Sequence, residues 1–188
     1  MIGHHEPTAE GFDTINSNDI EGARAATQVL IDRGYRDIGM LSLGPVETHE
    51  PDVAPQREKG FRAAVEAAGM PARIFRFDNL DAARAGKIAA LLTAADRPRA
   101  LFVWSDLDGI LVLNAARQMG LRVPEDLALI AYDNSPVAAL PLIDLASMDQ
   151  HGARLGALAT ETLLGRIKGR RIPHHLQLDP TVVLRSSL

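Results

Sequence analysis

The sequence predicts an α/β domain built on a doubly wound, mostly parallel sheet. Two observations carry this expectation. Apolar segments of strand length alternate with segments whose apolar residues recur every three or four positions, the pattern of strands joined by crossover helices. Residues 127–131, Leu-Ala-Leu-Ile-Ala, are apolar at every position rather than at alternate ones, as in a strand covered by helices on both faces. That strand leads into Tyr132, Asp133, Asn134 and Ser135. Ligands of open α/β sheets bind beyond the carboxyl ends of the strands, so the same segment predicts one wall of a binding site.

The elements follow in order. Residues 20–33 place Ile20, Ala23, Ala26, Thr27, Leu30 and Ile31 on one helical face, and Gly34 stops the helix. Residues 37–43 form an apolar strand that ends at Gly44 and Pro45. Residues 55–68 form a helix with Phe61, Ala64, Val65 and Ala68 aligned, stopped by Gly69. A short strand over 73–77 precedes an Ala-rich helix over 81–95, whose start Asp81 can cap. Residues 100–104 form the next strand and 106–119 the next helix, which Gly120 closes. Pro124 and Asp126 keep the following connection short and non-helical. After Asp133, Pro136 and Pro141 break an irregular stretch. Residues 146–148 form a short strand and 150–168 a long helix, with Leu155, Leu158, Ala159, Thr162, Leu163 and Ile167 on one side. A final strand covers 180–184. The crossovers are expected to be right-handed. The polar connection 46–54 is expected to be the most mobile loop.

At 188 residues, 46% of them apolar and 23% charged, the chain can bury a sizeable core as one domain, or as one domain with part of another. A net charge of −4 argues against a nucleic-acid surface within these residues. Without Cys there are no disulfides and no thiolate metal site, which suits a reducing compartment. No apolar run approaches membrane-spanning length, and the first residues lack the basic start and apolar stretch of a signal peptide.

Three strand ends should converge on one edge of the sheet. They bring Arg57, near the start of its helix, towards Ser105 and Asp106 and towards Asp133. A guanidinium beside two carboxylates suits a small hydroxyl-rich ligand, because carboxylates accept from hydroxyls and Arg donates in a rigid fork. Each residue also has a plainer reading. Asp106 is placed to cap its helix, Asp133 to form an Asx-turn, and Arg57 to be a surface charge. Trp104 is either a core residue or a pocket wall. The pairs His4-His5 and His174-His175 are not expected to bind metal, since adjacent strand residues face opposite ways. HExxH, GxSxG, P-loop and GxGxxG motifs are absent. Neither catalysis nor a cofactor is expected.

Several segments together resemble the effector-binding half of LacI/GalR-family transcriptional regulators. Ser17-Asn18-Asp19, Gly22-Ala23-Arg24-Ala25-Ala26, Leu30, Gly34-Tyr35 and Ile38 look like the family's strand, helix and "GHRRIA". Arg57-Glu58-Lys59-Gly60-Phe61-Arg62-Ala63-Ala64 looks like its "RxxGFxxA". Ala100 to Asp106 is similar to the strand that ends in Asn-Asp, with Ser105 in place of the Asn. Gly120 to Asp133 resembles "GLRVPEDVSVVGYD", Ser147 to Gln150 the "TTVxQ" return strand, and Pro180 to Arg185 the closing "PTELVVR". The ordered set runs from about Asp13 to the C-terminus.

The resemblance implies a periplasmic-binding-protein-like type I fold, with the ligand between two subdomains. Its C-terminal subdomain would be essentially complete and its N-terminal one partial. Residues 1–16 would be a remnant of the N-terminal subdomain and a crossing strand, and 17–144 the effector-binding subdomain. Residues 145–169 would be a return strand and helix of the N-terminal subdomain, and 170–188 a closing strand. Arg57, Ser105, Asp106 and Asp133 match positions lining the effector pocket. Ile110, on the helix starting near Asp106, matches a homodimer contact, although its helical spacing serves the core equally well. No aromatic stands at Asp78-Asn79-Leu80, where relatives often have one, unless Phe75 or Phe77 substitutes.

The implied function is a cytoplasmic sensor of a sugar or small metabolite. It would reach operator DNA only through a helix-turn-helix that this N-terminally truncated sequence lacks, and would have no membrane partner. An exported solute-binding protein of an uptake system is the alternative. With most of the first subdomain's sheet missing, the apolar side of the helix over 150–168 is expected to be covered by another chain or displaced.

Overall fold

A computed structural model describes residues 11–44, 53–77 and 84–188. Its elements are β1 (Thr14–Ser17), α1 (Asp19–Asp32), β2 (Ile38–Leu43), α2 (Val53–Ala67), β3 (Arg73–Phe77), α3 (Arg84–Thr93), β4 (Ala100–Val103) and α4 (Asp106–Gln118). Then follow β5 (Ala128–Tyr132), β6 (Ala146–Asp149), α5 (Gly152–Ile167), β7 (His175–Leu178) and β8 (Thr181–Val183). The strands form a six-stranded sheet of order β3-β2-β4-β5-β6-β8 and a two-stranded sheet, β1-β7. All pairings are parallel except β6 with β8. The strand order reverses between β2 and β4, which puts the topological switch point at their carboxyl ends.

The every-position apolar pattern is explained by two cores, one on each face of the sheet. Ala128, Ile130 and Tyr132 of β5 pack with Ala23, Ala26 and Leu30 of α1 and with Phe61 and Val65 of α2. Leu129 and Ala131 pack with Ile88, Leu91 and Leu92 of α3 and with Val112, Leu113 and Ala116 of α4. In β4, Phe102 joins the first core while Leu101 and Val103 join the second. Helices α1 and α2 approach backbone to backbone at Gly60, where a Cβ would overlap the Ile20 carbonyl oxygen. The Gly of the RxxGF segment is therefore a packing requirement.

The helix starts are set by local caps. Asn18 Oδ1 accepts from Glu21 N at 3.2 Å to open α1. Ser105 caps α4, its Oγ accepting from Asp108 N at 3.3 Å. The cap expected of Asp106 thus falls one residue earlier, because the extended backbone of a cap belongs to Ser105 and Asp106 is already helical. Helix α2 begins at Val53, inside the expected 46–54 loop. The rest of that loop, Asp78-Asn79-Leu80, the Asp81 cap and His4-His5 lie outside the described residues.

The expected subdomain borders are corrected in two places. The return strand, β6, lies inside the large sheet, paired to β5 and β8. Residues 175–178 form an unexpected strand, β7, which pairs with β1 rather than with the large sheet. Asp13 organises this second unit. Its carboxylate takes Arg170 Nη1 and Nη2 at 2.9 and 3.0 Å, Arg166 Nε at 3.0 Å and the His174 N–H at 2.7 Å. These bonds, Arg170 first, hold the Asp13 carboxyl well below the usual range. Helix α5 is ordered against β1 by these ion pairs, with Leu155 and Thr162 buried. Leu163 and Ile167 of its expected apolar side are 60% and 73% exposed.

Candidate ligand site

The site is built beside the switch point, at the carboxyl ends of β4 and β5, and Arg57 is its centre. Helix α2 carries Arg57 inward rather than outward, and the residue is 2% exposed, which rules out the surface-charge reading. Its Nε donates to Asp19 Oδ1 at 2.8 Å, a pair buried on both sides. Its Nη1 donates to the carbonyl oxygen of Trp104, at the end of β4. The guanidinium carbon stands 3.7 Å over the centre of the Tyr132 ring. Nη1 also lies 3.7 Å from Asp133 Oδ1. One side chain therefore ties α1, α2, β4 and β5 together at the strand ends.

Tyr132 lies under Arg57 and is fully buried. Among the described residues no hydrogen bond of good geometry reaches its hydroxyl, and the group beside it is the Ser17 side chain. It fits only because residue 22 is Gly: a Cβ there would overlap the hydroxyl oxygen. Burial, reinforced by Asp19, pushes the phenol above its ordinary range, so Tyr132 stays neutral.

Asp133 is the accessible member of the group, its side chain 38% exposed. Gln150 Nε2 donates to its Oδ1 at 2.8 Å. Burial raises the carboxyl to about 6; Arg57 opposes this, Asp106 adds to it, Gln150 opposes and Asp19 adds. The backbone at Asp133 has φ 107° and that at Asn134 φ 47°, positive values that are uncommon outside Gly and that Asp and Asn tolerate better than other residues.

Asp106 braces this turn. Its Oδ2 accepts from Ser135 N at 2.6 Å and its Oδ1 from Ser147 Oγ at 2.6 Å. Ser147 Oγ in turn accepts from Asn134 N at 2.9 Å, and Arg185 Nη2 donates to Asn134 Oδ1 at 2.7 Å. Asp106 is buried, and both its oxygens are engaged in shaping the turn that presents Asp133.

Ser105 is buried too, and turns to Asp108, donating to Oδ2 at 3.2 Å. Asp108 also accepts from Trp104 Nε1 and pairs with Arg84 at 2.7 Å. Trp104 is half-buried against the α1/α2 core. Ile110 packs partly on the α3/α4 core, and the apolar residues of α4 that face outward are Leu107 and Leu111. Phe75 and Phe77 also pack on the α3/α4 core. His174 and His175 are used in the small sheet, where His175 Nδ1 is 2.9 Å from Thr14 Oγ1. Among the described residues no cluster of three or more His, Asp or Glu could hold a metal.

Arg57, Asp106 and Asp133 thus meet at one place, with Ser105 one layer behind. Sequence reasoning missed Asp19 and Gln150 as parts of the site. Both lie within segments it singled out, Ser17-Asn18-Asp19 and Ser147 to Gln150, but only the fold brings them to Arg57 and Asp133.

A family model described as a periplasmic binding protein-like domain matches residues 27–188. The ribose operon repressor of Haemophilus influenzae is 35% identical over 181 residues, covering 94% of this chain and 53% of the repressor. The chain thus spans about half the length of the curated relatives it matches. Among solved structures, a LacI-family transcriptional regulatory protein from Corynebacterium glutamicum superposes with a TM-score of 0.82 at 30% identity, over 98% of this chain and 70% of that one. The complex of the transcriptional regulator CelR with cellobiose superposes with a TM-score of 0.84 at 30% identity, over 99% of this chain and 58% of CelR. With the doubly wound sheet and the site at its strand ends, these matches place the chain in the LacI family of transcriptional regulators, as a periplasmic-binding-protein-like effector domain.

Proposed function

We propose that this chain senses a small, neutral, hydroxyl-rich molecule, a sugar or related metabolite, for a LacI-type regulator. The observation that carries the reading is the pairing of buried Arg57 with accessible Asp133 beside the switch point, 3.7 Å apart. A hydroxyl seated on Asp133 donates to its carboxylate and lies within reach of the Arg57 fork. Asp106 supplies the turn geometry and Ser105 the cap beneath it, so these two position the site rather than touch the ligand. The relative named as a ribose operon repressor and the neighbour bound to cellobiose support a sugar. The relatives are repressors, which favours a regulator over a transport protein or an enzyme.

In the whole regulator, ligand capture shifts the balance between two arrangements of the subdomains, and thereby the affinity of a separate helix-turn-helix for operator DNA. The regulator works in the cytoplasm as a homodimer. Leu107 and Leu111 of α4 are the natural contacts, with Ile110 bracing them from the core side.

A thermal-shift screen against D-ribose, cellobiose and other neutral mono- and disaccharides tests the ligand class. A sugar at a hundred times its Kd stabilises by about 2.7 kcal/mol, an upward shift of roughly 5–10 °C for a domain of this size. A screen in which no sugar moves the melting point overturns the sugar reading.

A further inference from the structure

Three junctions carry the chain between the six-stranded sheet and the β1–β7 pair with its helix α5: residues 17–19, 149–152 and 178–181. The first and third are fastened together. Asn18 N donates to Leu178 O at 2.8 Å, and Asn18 Nδ2 to Asp179 Oδ1 at 2.7 Å. The second meets the third where Asp149 pairs with Thr181 in the antiparallel β6–β8 ladder, and His151 adds a side-chain tie, its Nε2 sharing a hydrogen bond of 3.2 Å with Thr181 Oγ1. His151 also has a left-handed backbone, φ 57°. Asp149 holds it there: Oδ1 accepts from His151 N at 2.7 Å, and Oδ2 is 3.7 Å from His151 Nδ1. The residue before it, Gln150, reaches the ligand acid instead and donates to Asp133 Oδ1 at 2.8 Å.

Two adjacent residues therefore join the accessible acid of the site to the junction leading into α5. A left-handed non-Gly residue is uphill on its own and is kept by its contacts. Gln150 and His151 share one planar peptide unit, so a backbone shift at Gln150 reaches His151 through only the two dihedrals that flank that unit.

We propose that Gln150 and His151 form a relay: Gln150 positions the carboxylate of Asp133 while the site is empty, and when a ligand hydroxyl takes that oxygen, the release of Gln150 loosens the hold of His151 on Thr181. The relay rests on the reading of Asp133 as the acceptor of a ligand hydroxyl. Gln150 is a positioning residue, acting through Asp133 on one side and through His151 on the other. It supplies the differential contact between empty and filled states that an allosteric shift needs.

Two measurements on the ligand-free protein test it. The first follows the Asp133 carboxyl by carbon-13 NMR, in wild type and in Gln150→Met. The groups facing this carboxyl are Arg57 of α2, Asp106 of α4 and Asp19 of α1, all unchanged in the variant. Loss of a donor to the ionised form shifts the midpoint upward by roughly half a pH unit or more; an unchanged midpoint overturns the positioning role. The second is hydrogen exchange of the amides at 151–155 in Gln150→Met, Thr181→Ala and the double variant. Each single change is expected to accelerate exchange about threefold or more, and the double change to add little, because both act through His151. Additive effects, or none, overturn the relay. Titration of wild type with D-ribose and cellobiose decides the sugar reading separately.

Discussion

The Arg57 guanidinium carbon lies 3.7 Å over the centre of the Tyr132 ring. That contact fixes the fork in a plane from which Nε meets Asp19 and Nη1 meets the end of β4. A Lys could keep the charge but not this set of directions. Arg57→Lys is expected to fold and to lose ligand affinity by at least about tenfold, measured by calorimetric titration. Arg57→Met removes the buried partner of Asp19 and is expected to cost about 3 kcal/mol in urea unfolding. A loss below about 1 kcal/mol would show that the pair is not buried as described.

Asp133 gives the stability a pH dependence of known sign. Burial raises its folded carboxyl to about 6, above the ordinary 3.8. The folded state then binds the proton more tightly than the unfolded one. The resulting stability is fully present below about pH 4 and is lost as the pH rises through about 6. Since the side chain is 38% exposed, screening reduces the effect to about 1 kcal/mol. Asp133→Asn, which tolerates the same backbone, is expected to be more stable than wild type by that amount at pH 8 and equal to it at pH 4. Urea melts at the two pH values check this, and an identical difference at both sinks it.

Asp13 has the opposite sign. Its carboxyl is depressed, first by Arg170, so its stabilisation is present above the unfolded value and lost as the pH falls below the ordinary carboxylate range. Asp13→Asn is expected to lower the melting temperature by on the order of 5 °C at pH 7. It should also accelerate hydrogen exchange in β7 and α5 before the six-stranded sheet. Uniform acceleration across both sheets would contradict the idea that Asp13 organises a separate unit.

Two glycines predict opposite outcomes. At Gly60 a Cβ would overlap the Ile20 carbonyl, whereas at Gly86, in α3, nothing among the described residues stands within 4 Å. Gly60→Ala is expected to destabilise by about 3 kcal/mol or more as α1 and α2 are forced apart. Gly86→Ala is expected to stabilise by about 0.5–1 kcal/mol through helix propensity. Equal effects in thermal unfolding would contradict the packing described for α1 and α2.

Much of this was legible in the sequence, for physical reasons. Strands buried on both faces, such as β5, write their environment into every residue, and β3 spans the same 73–77 that its sequence predicts. β7 was not legible. Its sequence, His-Leu-Gln-Leu, is half polar and its strand partner among the described residues is distant β1, so its pairing is a long-range fact. The site was half legible. Arg57 and Asp133 could be named from strand-end position, but Asp19, Gln150 and the clamp of Asp106 on Ser135 and Ser147 are set by contacts across the fold. The cap expected of Asp106 falls to Ser105 for a local reason: the cap goes to the residue with extended backbone.

The central claim is that Arg57 and Asp133 hold a small hydroxyl-rich effector. Trp104, the single tryptophan of the chain, gives its carbonyl to Arg57 and its indole N–H to Asp108, so its fluorescence reports on the site. The direct measurement is a fluorescence titration with D-ribose and with cellobiose, in wild type, Arg57→Lys and Asp133→Ala. A saturable change is expected with at least one sugar in wild type, and affinity at least about tenfold weaker in both variants. Saturable binding that both variants retain at wild-type affinity would contradict the claim.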